Sequence, residues 1–197
     1  VLNLTICRDS VYAVTSNAIF SNKLNFSQIN DFSTWNQEFF DTTKHIFTNI
    51  AALDNILFCA AQIKKKDTSF NKIYVNKNNQ WQIHDDFDTA SCSTMKIQEN
   101  YLTICYNNKF EIWSKDNLNN FSKNMEGDNI WIKPIDIAYD GKDIFIASYY
   151  RGLVEWYNDY WHPITISTPA QNTVWRMDWK KGKLAIAHGG HSDWRPL

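Results

Sequence analysis

The chain has 197 residues, 44% of them hydrophobic and 15% aromatic, enough to bury a sizeable core. With 20 basic against 21 acidic residues the formal charge is −1, which argues against a nucleic-acid partner, whose backbone demands a basic face. It also leaves no polybasic handle for anionic lipid, and no stretch reaches the roughly 18 apolar residues that span a bilayer.

In chain order, the first predicted elements are a strand at Leu4-Thr5-Ile6, a turn at Asp9-Ser10, an apolar strand Val11–Val14 and a strand at Ile19-Phe20. A polar turn, Ser21-Asn22-Lys23, then leads to Phe26, which is expected to start a short fourth strand. The same order returns with Asn49-Ile50-Ala51, the turn Asp54-Asn55, Ile56–Cys59, Ile73-Tyr74-Val75 and Trp81. It returns again with Met95-Lys96-Ile97, the turn Glu99-Asn100, Tyr101–Ile104, Ile112-Trp113 and Phe121. A fourth pass runs through Ile135-Asp136-Ile137, Gly141-Lys142-Asp143, Ile144–Ala147, Val154-Glu155-Trp156 and Trp161. A fifth begins at Trp175-Arg176-Met177 and continues through Lys181-Gly182-Lys183 to Leu184–Ala187.

The apolar residues that lead each second strand stand at 11, 56, 101, 144 and 184, spaced 45, 45, 43 and 40 apart. Trp81, Phe121 and Trp161 keep a spacing of 40. The longer gap from Phe26 to Trp81 is assigned to a polar hairpin insertion from Gln62 to Phe70, with Lys64-Lys65-Lys66 at its solvated tip. Four strands in roughly 40–45 residues is the size of a propeller blade. Second strands that are apolar on both faces fit a blade packed on either side. The expectation is an all-β chain, a β-propeller of about four and a half four-stranded blades from a larger, seven-bladed ring. The blades are placed at 1–44, 45–91, 92–132, 133–173 and, incomplete, 174–197. The chain opens on Val1 without Met, so residues upstream are expected to have been removed or not seen.

Trp81, Trp113, Phe121, Trp156 and Trp161 are read as wedges between blades. Cys7, Cys59, Cys92 and Cys105 contain no C-x-x-C pair, and buried free thiols are expected, although a disulfide stays open. G-x-S-x-G, P-loop and dinucleotide signatures are absent. Asp9, Asp54, Glu99 and Asp143 recur at the first turn, where an Asp bonds its own backbone two residues on. Asp136 and Asp178, taken as equivalent positions in neighbouring first strands, are the one hint of the converging carboxylates of a glycosidase. His188-Gly189-Gly190-His191 with Asp193 offers a possible metal pair without a third ligand, and a turn is the reading preferred. The candidate ligand platform joins Tyr149, Tyr150 and Arg151 with His191, Trp194 and Arg195 one blade later. Aromatic faces and guanidinium planes there would bind a sugar or a peptide.

The stretch Asp136–Ala147 with Arg151–Trp156, and more closely Val174–Asp178 through Gly182–Gly190, resembles the regulator-type propellers of Bacteroidota. Within these it is similar to the N-terminal propeller of the PorZ-type surface proteins of the type IX secretion system. The resemblance covers residues 134–195, the earlier residues matching only as generic blades. It implies a non-enzymatic binding and assembly module at the cell surface, outer membrane-associated and without cofactor. Its implied partners are a sortase-like protease and outer-membrane subunits, with anionic lipopolysaccharide as the glycolipid handled. The alternative is the glycan-sensing propeller of a two-component regulator, which would be periplasmic; a propeller glycosidase is the remote third.

Overall fold

The computed structural model describes residues 2–24, 29–40, 45–65, 68–84, 92–114, 121–124, 132–165 and 174–188. Among these there are eighteen strands and one short 3-10 helix. The strands form antiparallel meanders. Sheet 1 holds β1 (Asn3–Cys7), β2 (Ser10–Val14), β3 (Ala18–Lys23) and β4 (Asn36–Phe40), in chain order. Sheet 2 holds β5 (His45–Leu53), β6 (Ile56–Lys65), β7 (Thr68–Lys77) and β8 (Gln80–Ile83). Sheet 3 holds β9 (Cys92–Gln98), β10 (Tyr101–Tyr106), β11 (Lys109–Ser114) and β12 (Phe121–Asn124). Sheet 4 holds β13 (Pro134–Tyr139), β14 (Ile144–Ser148), β15 (Gly152–Tyr157) and β16 (Tyr160–Ile164). Sheet 5 pairs β17 (Val174–Lys180) with β18 (Lys183–His188). No helix among the described residues is long and apolar enough to cross a membrane.

Tight hairpins set the register. At Asp54-Asn55, Asn78-Asn79, Asn158-Asp159 and Lys181-Gly182 both turn residues have φ between 47° and 71°. That is the left-handed pair whose twist matches the flanking strands. It revises the expected turn chemistry: Asp54 and Glu99 serve by adopting left-handed backbone, at φ 47° and 53°. Asp9 instead accepts from Ser10 and from Lys23 Nζ. The carboxylate that does bond backbone two and three residues on is Asp140, which accepts from the amides of Lys142 and Asp143.

The end of sheet 1 also differs from expectation. Its fourth strand is β4, entered through the 3-10 turn Phe32–Thr34 and Trp35, whereas Phe26 lies outside the described residues. The aromatic marker is therefore Trp35, and its distance to Trp81 is 46 residues. The stretch Gln62 to Phe70 is regular: β6 and β7 stay paired from Leu57↔Asn76 out to Lys65↔Thr68. It is a lengthened hairpin, with Lys64 exposed near its tip.

The chain divides into two compact units, Val1–Ile97 and Gln98–Leu197. In the first, the inward face of sheet 1 (Cys7, Val14, Ile19) packs on Phe47, Ile50, Leu57, Cys59 and Tyr74 of sheet 2, with Trp81 against them. In the second, Cys105, Phe110 and Ile112 pack on Ile137, Ile144, Ile146, Val154 and Trp161 of sheet 4. Ala138, Ala147 and Leu153 of sheet 4 then pack on Val174 and Met177 of sheet 5. So a middle sheet such as sheet 4 buries both faces, which explains second strands without polar alternation. All four cysteines are free thiols.

Side chains of first strands tie successive sheets together. Asn3 Nδ2 donates to Asn49 Oδ1 (3.3 Å). Gln98 Nε2 donates to the Ile137 carbonyl, and its Oε1 accepts from the Tyr139 amide, both at 2.6 Å. Asp136, 1% exposed, accepts from its neighbour Ile137 and from the amide of Met177 in sheet 5 (2.9 and 2.8 Å).

Candidate functional site

The β14–β15 hairpin reverses through Tyr149-Tyr150-Arg151. Ser148, buried, receives the Arg151 amide on its hydroxyl at 3.3 Å, and Gly152 takes φ 71° to re-enter the sheet opposite Ser148. The Tyr149 amide donates to the Lys133 carbonyl at 2.9 Å, so the segment entering β13 and the hairpin tip are pinned side by side. The side chains follow from that. Lys133 Nζ lies 5.4 Å from the centre of the Tyr149 ring, a cation–π distance. Tyr149 and Tyr150 meet edge to face at 5.1 Å.

Both tyrosines remain open to solvent, at 59% and 56%, and Lys133 and Arg151 are exposed. Two cations and two aromatic faces at one corner suit a ligand with carboxylates or sulfates and flat apolar patches. The corresponding hairpins of sheets 1 and 3 turn through Thr15-Ser16-Asn17 and Asn107-Asn108, which carry neither ring nor charge.

Of the residues singled out from sequence, Tyr149, Tyr150 and Arg151 come together here, while His191, Trp194 and Arg195 lie outside the described residues. Lys133 was missed. The register Pro134↔Ser148 is the signal that would have found it, since it sets the residue before Pro134 beside the residue after Ser148. A second exposed group was also missed: Tyr157, Tyr160 and His162 at the opposite end of sheet 4, with Tyr157 and His162 rings 6.1 Å apart.

The proposed pairing of Asp136 with Asp178 is overturned. A β-bulge lies between Pro134 and Asp136, and another between Val174 and Arg176. Across them Asp136 faces Ala147 and Arg176 faces Ala187, so the counterpart of Asp136 is Arg176. Both oxygens of Asp136 are occupied by amides, and Asp178 is exposed. Among the described residues the other buried carboxylate is Glu111, held by Lys109 Nζ (2.6 Å), Tyr106 OH and Trp113 Nε1 (3.0 Å each). No group of three or more His, Cys, Asp or Glu among the described residues could hold a metal ion.

Comparison with known proteins gives a likeness of fold. No family model matches the sequence, and no curated protein matches it. Among solved structures, the extracellular domain of the hybrid two-component system BT4673 from B. thetaiotaomicron superposes with TM-score 0.60 at 13% identity, over 93% of this chain and 25% of that one. A chain of the mitotic checkpoint complex gives TM-score 0.60 at 10% identity, over 94% of this chain and 58% of that one. The computationally designed Ika4 protein gives 0.50 at 12% identity, over 79% of this chain and 89% of that one. The chain thus spans a quarter of the length of BT4673's domain. At these identities only the arrangement of sheets is shared.

Proposed function

We propose that the sheets are blades of a β-propeller and that the chain is a non-enzymatic binding module of an exported protein. In this reading it is of the sensor type, and an acidic oligosaccharide is held at the corner of Lys133, Tyr149, Tyr150 and Arg151. The observation that supports the reading is the open pair of tyrosine rings, Tyr149 lying under Lys133 Nζ and Tyr150 followed by the exposed Arg151, on a fold shared with the extracellular domain of a two-component system. The rings supply faces for sugar C–H surfaces and the cations supply partners for uronate or sulfate groups. The buried carboxylates are engaged in holding backbone and side chains, which leaves them structural rather than catalytic.

Calorimetric titration with uronate-bearing and neutral oligosaccharides tests this. The acidic set is expected to bind, and Tyr150→Ala to weaken it about tenfold, the equivalent of ~1.4 kcal/mol. Equal affinity in Tyr150→Ala, or binding of neutral sugars alone, would overturn it. The type IX secretion reading calls on the same cations, with anionic lipopolysaccharide as ligand. Co-purification with a sortase-like protease and outer-membrane subunits would favour it over the sensor.

A further inference from the structure

We propose that the β14–β15 corner takes a single acidic sugar ring, with Tyr150 as the surface it stacks on and Lys133 as the residue that selects acid over neutral sugar. This narrows, and rests on, the acidic-oligosaccharide site proposed above.

The two tyrosines differ in what they already hold. Lys133 Nζ lies over the Tyr149 ring, 5.4 Å from its centre, and the Tyr149 amide donates to the Lys133 carbonyl at 2.9 Å. The pair is thus joined twice, once through the backbone and once through ammonium and ring. Pro134, next in the chain, restricts the Lys133 backbone to extended conformations and pairs with Ser148 at the root of the hairpin. The ammonium is therefore placed before any ligand arrives, which lowers the cost of binding. An ammonium over a ring face still has N–H donors to spare for an anion. Lys133 rather than Arg151 is the selecting cation, because its charge is the one held against the rings.

Tyr150 is 56% exposed. Its ring stands at 84° to that of Tyr149, with the centres 5.1 Å apart. Rings lying in one plane would bed successive sugars of a chain. Rings at right angles form a notch instead: a sugar laid on the Tyr150 ring meets Tyr149, and the ammonium above it, at its rim. Both rings then touch the same sugar, and a carboxylate on that rim reaches Lys133. The Ser148 hydroxyl, which accepts from the Arg151 amide, and φ 71° at Gly152 shape the hairpin that carries the notch.

NMR titration with a panel of uronic acids, the matching neutral hexoses and uronate oligomers of increasing length tests it. Acidic monosaccharides are expected to bind, and longer oligomers to gain nothing beyond the statistical factor of carrying more units. Lys133→Met keeps the stem and removes the charge. It should cut the preference for a uronic acid over its hexose about tenfold and leave hexose binding as it was. Tyr150→Ala should weaken acid and neutral sugar by the same factor. Both positions are exposed, so circular dichroism should not change. Affinity that climbs with each added acidic unit would overturn the proposal, as would full acid preference in Lys133→Met; either result leaves the acidic-ligand reading standing. Failure of every acidic saccharide to bind, at any length, would remove that reading and the proposal with it.

Discussion

Asp136 shows how one buried side chain fastens one sheet to the next. Its two oxygens serve two amides, one in its own strand and one in β17. Asparagine keeps one acceptor and turns an amino group toward the other N–H. Hydrogen bonds to charged groups contribute about 1.5–3 kcal/mol, so Asp136→Asn should lower unfolding stability by about 2 kcal/mol, measured from urea midpoints. Cys59 gives a prediction in pH. Burial, with the Cys92 thiol adding to it, pushes the Cys59 thiol well above the usual thiol range. Once pH passes about 8.5, the unfolded chain loses this proton while the folded chain keeps it. Stability then falls with rising pH, and Cys59→Ala should flatten that decline in urea titrations at neutral and alkaline pH.

Hairpins were the elements most legible in the sequence. Asp54-Asn55 and Lys181-Gly182 could be read because a turn residue sits between two apolar runs. Lys181 nevertheless adopts φ 51°, which a lysine tolerates poorly. Lys181→Asn should therefore raise stability by several tenths of a kcal/mol to about 1 kcal/mol, read as a higher melting temperature. The fourth strand of sheet 1 was not legible. Phe26 and Trp35 are both aromatic and both follow polar residues, and the choice depends on the cap that Asp31 forms with the Ser33 amide at 2.9 Å. The equivalence of Asp136 and Asp178 fails on register: β13 and β17 carry their bulge at the same place, Asp136 faces Ala147 as Arg176 faces Ala187, and Asp178 lies two residues further along its strand. Tyr149 to Arg151 stood out as an unusual turn, whereas Lys133 joins them only through pairing across β13 and β14.

Within each of the two units the account depends on sheets that follow one another, a first strand lying on the sheet before it. The core clusters within each unit have this form. The amides of Met177 and Tyr139 report on it most directly, because their acceptors are side chains of the preceding sheet. Residue-resolved hydrogen exchange on wild type and Asp136→Ala, which removes both acceptors, is the decisive measurement. The account predicts protected Met177 and Tyr139 amides in wild type. In the variant, protection should be lost at Met177 while Tyr139 keeps its own through Gln98. Free exchange of both amides in the folded wild-type chain would contradict it.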